Sequence, residues 1–116
     1  MANITGSTSG ESLTGTASAD VISGLAGADT ISGVDANDLI YGNKGSDSIL
    51  GGAGSDTIFG GQNGDTISGG SAHDVVYGNK SNDSLLGGTG NDTMYGGQAN
   101  DTMQGGAGVD LMQGNA

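Results

Sequence analysis

Acidic residues recur every nine positions without a break in phase, and this spacing restricts the fold more than any other property of the chain. Asp20, Asp29, Asp38, Asp47, Asp56, Asp65, Asp74, Asp83, Asp92, Asp101 and Asp110 form the series, and Glu11 extends it backwards. A glycine stands five residues before each acid, from Gly6 and Gly15 through to Gly96 and Gly105. An apolar residue stands two after each: Leu13, Ile22, Ile31, Ile40, Ile49, Ile58, Ile67, Val76, Leu85, Met94, Met103 and Met112. Twelve nonads thus fill residues 6–113 of the 116, read as one domain spanning 1–116. A repeat this short encloses no core of its own, so neighbouring repeats must bury one another.

Each nonad divides into a six-residue turn, such as Gly51-Gly52-Ala53-Gly54-Ser55-Asp56, and a three-residue strand, Thr57-Ile58-Phe59. Side chains alternate along a strand, so the middle residue points inward and its neighbours outward. Two nonads make one flattened coil of 18 residues, and six coils at roughly 4.8 Å per strand give a stack on the order of 29 Å. A longer period lies above this one: GNKGSDSIL at 42–50 returns as GNKSNDSLL at 78–86, placing Lys44 and Lys80 two coils apart as solvated counter-charges.

Composition narrows the chemistry. With 26 glycines, one Phe and no Trp, an ordinary globular core is excluded. Thirteen acidic residues against two lysines give a net charge of −11, which disfavours nucleic acid and anionic membranes as partners and favours cations. Cysteine is absent, so a metal would be held by hard oxygen ligands, which suit calcium better than zinc. No apolar run is long enough to span a membrane, and the start MANITGSTSG lacks the basic and apolar regions of a cleaved signal peptide.

GGAGSDTIF at 51–59 and GGTGNDTMY at 87–95 resemble the G-G-x-G-x-D-x-U-x nonapeptide of the RTX (repeats-in-toxin) calcium-binding family. The resemblance implies an all-β, right-handed parallel β-roll, a β-solenoid of about six coils with calcium between stacked turns. It assigns the metal to the eleven aspartates from Asp20 to Asp110 and to turn backbone at Gly52, Gly54, Gly88, Gly90, Gly106 and Gly108. Turns alternate edges, so Glu11, Asp29, Asp47, Asp65, Asp83 and Asp101 form one ladder. Asp20, Asp38, Asp56, Asp74, Asp92 and Asp110 form the other. Five gaps per edge allow at most ten interior calcium ions, and filling all ten would add +20 to −11, giving +9. Unneutralised carboxylates stacked about 5 Å apart would repel, so folding and calcium binding are expected to be one event.

Seven nonads lack glycine at the fourth position, where Ser9, Ser18, Ala36, Asn63, Ala72, Ser81 and Ala99 stand. Ser and Ala tolerate positive φ poorly, so the best sites are expected within 51–110 and the poorest near residue 20.

The outer faces differ. Tyr41, Phe59, Tyr77 and Tyr95 fall on one face, with Val21, Leu39, Val75 and Leu111 beside them, and either stabilise strand pairing through same-face contacts or form a candidate surface for lateral association. The other face carries Ser12, Thr30, Ser48, Thr66, Ser84 and Thr102 and reads as solvated, with Leu50 and Leu86 as exceptions. Met1–Thr5 resemble the back of a nonad and Gly114, Asn115 and Ala116 the front of another, which points to end-to-end polymerisation into a calcium-dependent fibre.

The expected role is a secreted or cell-surface calcium-binding structural module that folds on calcium and self-assembles. The alternative is a calcium-dependent folding or secretion module from a larger toxin, adhesin or hydrolase. In either case the resemblance implies type I secretion without a cleaved N-terminal signal. Ice binding is disfavoured because the turn row of Thr89 is interrupted by Ala17, Asp35, Ala53, Ser71 and Ala107. Catalysis is not expected, since the one histidine, His73, is placed in a solvent-facing turn and no nucleophile has a base beside it.

Overall fold

The computed structural model describes residues 1–114, and Asn115 and Ala116, read above as the front of a further nonad, lie outside the described residues. Thirteen strands follow one another: β1 (Asn3–Thr5), β2 (Ser12–Thr14), β3 (Val21–Ser23), β4 (Thr30–Asp35), β5 (Leu39–Lys44), β6 (Ser48–Ala53) and β7 (Thr57–Gln62). The remainder are β8 (Thr66–Ser71), β9 (Val75–Asn79), β10 (Ser84–Thr89), β11 (Thr93–Gly97), β12 (Thr102–Ala107) and β13 (Leu111–Gln113). No helix occurs among the described residues.

Odd-numbered strands form a seven-stranded sheet in chain order, and even-numbered strands form a six-stranded sheet. All pairings are parallel, and each joins a residue to the one 18 positions on, as in Ile40↔Ile58 and Ile49↔Ile67. This is the expected β-solenoid of about six turns. Its extents of 32 × 28 × 13 Å match two sheets face to face, roughly 10 Å apart, plus outer side chains.

The interior is the eighth position of each nonad. Ile22, Ile40, Ile58, Val76 and Met94 from one sheet meet Ile31, Ile49, Ile67 and Leu85 from the other, all fully or almost fully buried. Ile4, Leu13 and Met103 extend the column at partial burial. Ile4 lies on β1, which pairs with β3 as Ile4↔Ile22, so the segment read as the back of a nonad does continue the sheet. Nine side chains in single file leave each one touching mainly those of the adjoining coils.

The strands are longer than the three residues expected. From β4 to β12 they run five or six residues, because stacked turns stay in register and keep pairing beyond the bend: Leu50↔Ser68 is followed by Gly52↔Gly70 and Ala53↔Ser71. The residue skipped is the first glycine of the turn, where the chain bends between the sheet and the coil edge.

Ile58 is 0% exposed and Leu50 45%. Ile58→Ala is therefore expected to cost about 2–5 kcal/mol by cavity formation, and Leu50→Ala well under half of that. Urea unfolding of the calcium-loaded chain measures both, and equal costs would contradict the single-file core.

Candidate metal centres along the coil edges

The sixth residue of each nonad ends the turn and turns its side chain inward. Asp20, Asp29, Asp38, Asp47, Asp56, Asp65, Asp74, Asp83 and Asp92 are no more than 3% exposed, while Asp101 and Asp110 are half-buried. The 18-residue register stacks them in the two ladders expected from the sequence. One oxygen of each has a partner supplied by the fold: the Asp47 amide donates to Asp65 Oδ1 at 2.8 Å, the Asp65 amide to Asp83 Oδ1 at 2.8 Å, and the Asp56 amide to Asp74 Oδ1 at 2.8 Å. The same bond repeats from Asp20→Asp38 through Asp92→Asp110.

The second oxygen has none. Oδ2 of Asp29, Asp38, Asp47, Asp56, Asp65, Asp74, Asp83, Asp92 and Asp101 is buried with no hydrogen-bond partner. Leaving one buried polar group unsatisfied costs about 1–3 kcal/mol, and more when it is charged, so nine such oxygens in two ladders favour protons or cations beside them. Oxygens also line the space around Oδ2. A Cβ placed on Gly60 would lie 2.5 Å from Asp65 Oδ2 and 3.0 Å from the Gly78 carbonyl oxygen of the next coil. The first glycine of the turn is thus required by space, since its φ is not positive.

The second and fourth turn residues are required by backbone conformation. In all ten turns starting from Gly24 to Gly105, the second residue has φ between 73° (Leu25) and 115° (Gly52) and the fourth between 74° (Ala36) and 119° (Gly54). Gly52, Gly54, Gly88, Gly90, Gly106 and Gly108 hold these places in three turns of one edge. Ala36, Ala72, Ser81 and Ala99, judged from residue type as poor substitutes, adopt the left-handed conformation too, because the stacked neighbours leave them no other path. Leu25 and Val34 do likewise at the second position.

The first two turns do not. Ser7, Ser9, Thr16 and Ser18 lack positive φ, and side-chain hydroxyls organise the chain instead: Thr16 Oγ1 accepts from the Ser18 amide at 3.1 Å. In addition the Thr16 amide and hydroxyl donate to Asp20 Oδ2 at 2.6 and 2.9 Å. Both Asp20 oxygens are therefore engaged by the protein. Turns of common shape number ten, five on each edge, leaving four like-shaped gaps per edge, eight in all.

No three His, Cys, Asp or Glu side chains converge among the described residues. A cation held here would take its remaining ligands from turn carbonyls, as calcium with its 6–8 oxygen ligands does.

A second ladder escaped the sequence reading. At the fifth position on one edge, amides of later coils donate to side chains of earlier ones: Ser55 to Asn37 Oδ1 (2.8 Å), His73 to Ser55 Oγ (3.3 Å), Asn91 to His73 Nδ1 (2.8 Å) and Val109 to Asn91 Oδ1 (2.9 Å). His73 is exposed as expected, yet its Nδ1 is an acceptor in this chain of bonds. This ladder runs opposite to the aspartate ladder, so on that edge the turns from Asn37 to Val109 are tied in both directions. The polar run at the fifth position was the available signal.

Burial pushes the mid-ladder carboxyls up. Asp65 and Asp74 rise from 3.8 to about 7, and Asp56 and Asp83 to about 6. In each case desolvation dominates, the donated amide opposes it, and neighbouring carboxylates such as Asp47 and Asp83 beside Asp65 add to it. Asp38 and Asp47 move the same way. At Asp20 burial also acts upward, but the amides of Thr16 and Ala2, the Thr16 hydroxyl and the N-terminal ammonium together bring it below the usual value.

A carboxyl raised in the fold stabilises it when protonated. That contribution is complete below the unfolded value of 3.8 and is lost as pH climbs through about 6 to about 7. In chelator, β-sheet circular dichroism is accordingly expected to grow as pH is lowered from 8 towards 4, and a metal-free fold that is more stable at pH 8 would contradict the burial of the ladder. In comparison with known families, the chain matches four copies of the RTX calcium-binding nonapeptide repeat, at residues 5–38, 32–67, 59–94 and 86–116. No curated protein and no solved structure matches it. Together the matched repeats span residues 5–116, and the chain belongs to the RTX calcium-binding nonapeptide repeat family.

Proposed function

We propose that this chain is an extracellular structural module whose folding is gated by calcium, with the ions held in the gaps of the two aspartate ladders. The observation that carries this reading is the row of nine buried, unpartnered carboxylate oxygens. Their neighbours sharpen it. At Asn37-Asp38, Asn82-Asp83, Asn91-Asp92 and Asn100-Asp101 the chain places an amide and an acid side by side. The exposed Asn37, Asn82 and Asn91 make inter-coil bonds with a neutral side chain. An inward Asn would accept the same amide bond as Asp does, so the charge at the sixth position supports a cation rather than the ladder bond.

The ligands proposed are the carboxylates of Asp29 to Asp110 with backbone carbonyls of the intervening turns. Asp20 is a weak member, because Thr16 occupies its second oxygen. Of the ten gaps, the eight between turns of common shape are the strong sites. Affinities of about 10⁻⁴ to 10⁻³ M, usual for extracellular modules, would leave the chain unfolded where calcium is scarce and fold it after export. Calorimetric titration checks this: Asp65→Asn is expected to lower the number of ions bound and weaken the remainder, and Asp20→Asn to change little. Equal effects of the two, or no binding heat in the parent chain, would overturn the assignment.

Assembly is the second part of the proposal. One 18-residue register joins every coil, so a strand edge at either end of the stack offers another copy the same hydrogen bonds. Lateral contact through the Tyr41, Phe59, Tyr77 and Tyr95 face is the other route. Light scattering with calcium and with chelator tests assembly. Growth in calcium that survives replacement of Tyr41, Phe59, Tyr77 and Tyr95 by Ser supports stacking by ends, growth that the replacement abolishes supports the face, and a monodisperse monomer in millimolar calcium refutes both.

A further inference from the structure

The outer surface of the seven-stranded sheet carries a continuous ring stack. Tyr41 and Phe59 have centroids 5.1 Å apart with planes 7° from parallel, Phe59 and Tyr77 4.7 Å and 4°, and Tyr77 and Tyr95 5.0 Å and 13°. The register imposes this: Tyr41↔Phe59, Phe59↔Tyr77 and Tyr77↔Tyr95 are successive backbone partners. All four rings are half-buried, held in place yet open along one edge. Of the three neighbouring pairs, only Tyr77 and Tyr95 bring two phenols together. Phe59, which has no phenolic proton to lose, stands between Tyr41 and Tyr77.

We propose that Tyr77 and Tyr95 are an oxidative coupling site, which one-electron oxidants convert to a dityrosine bridge between successive coils. Each phenol gives one electron to the oxidant and its hydroxyl proton to solvent, leaving two tyrosyl radicals. A carbon ortho to one oxygen bonds to the corresponding carbon of the other ring. The hydrogens on those carbons then migrate to the oxygens and restore both aromatic rings. Two electrons and two protons leave in total, so two equivalents of oxidant are consumed. Holding the rings one stacking distance apart makes the coupling intramolecular, which favours it over encounters between chains. A radical formed on Tyr41 has no such partner within the chain. The product is a covalent staple from β9 to β11 on the surface opposite the buried core, and it does not draw on the carboxylate ladders.

The sequence supplies the assay. Lys44 and Lys80 are the only Lys or Arg residues, so trypsin yields 1–44, 45–80 and 81–116, each holding one tyrosine. The calcium-loaded chain, shown to be β-folded by circular dichroism, is oxidised at high dilution with a photo-activated ruthenium complex and persulfate, then digested and weighed. The expected product is 45–80 joined to 81–116, two hydrogens lighter than the sum, with 1–44 unlinked. Tyr95→Phe should abolish it. Phe59→Tyr should add a link between 1–44 and 45–80. The same oxidation in concentrated urea should lose the selectivity. Equal linkage among all three peptides in the folded chain, or the same preference in urea, would overturn the proposal.

Discussion

Stacking at a fixed interval of 18 residues puts each side chain directly over its equivalent, and for the sixth residue of the nonad this means one buried carboxylate above another. Coulomb repulsion and desolvation both oppose such a column. The backbone answers half of the problem, since every inward aspartate accepts the amide of the residue one coil earlier, Ala2 for Asp20, Glu11 for Asp29 and an aspartate thereafter. From Asp29 to Asp101 the other oxygen is left without a partner from the protein, and a cation or a proton would complete it. The single-file apolar column and the two opposed edge ladders supply cohesion between coils, but they do not discharge the carboxylates.

The same register explains why glycine serves two separate purposes in one turn. At the first position a Cβ would fill the oxygen-lined space beside Oδ2, as at Gly60. At the second and fourth positions the constraint is left-handed backbone, which Asn43, Ala72 or even Val34 can be made to adopt when coils above and below hold the turn. A spatial requirement admits no substitute, whereas a conformational one does at some cost. That difference is visible in the chain itself, where the first position is glycine in every nonad and the other two vary.

Much of this is legible in the sequence. The nine-residue phase of acid, glycine and apolar residue dictated parallel coils, the inward isoleucine column and the membership of each ladder, because periodicity translates directly into register. Three things were not legible. Strand length depended on stacked turns continuing to pair, as in Gly52↔Gly70, which a single repeat does not reveal. Residue type did not reveal that Ala36, Ala72, Ser81 and Ala99 adopt the same left-handed conformation as the glycines of the other turns. The direction of the Asn37–Ser55–His73–Asn91 ladder depended on which amides face which side chains, and nine-residue spacing alone is compatible with either direction. Near residue 20, where missing glycine leads the sequence to expect a poor site, Thr16 donates its hydroxyl and amide to the Asp20 oxygen that a cation would need.

Unpartnered aspartate oxygens would make folding and calcium binding a single event. Far-ultraviolet circular dichroism at pH 7.5, recorded in chelator and then through a calcium titration, tests it most directly. The account predicts a disordered spectrum in chelator that converts cooperatively to β-sheet as calcium is added and reverts when calcium is removed. A stable β-sheet spectrum in chelator at that pH, unchanged by calcium, would contradict it.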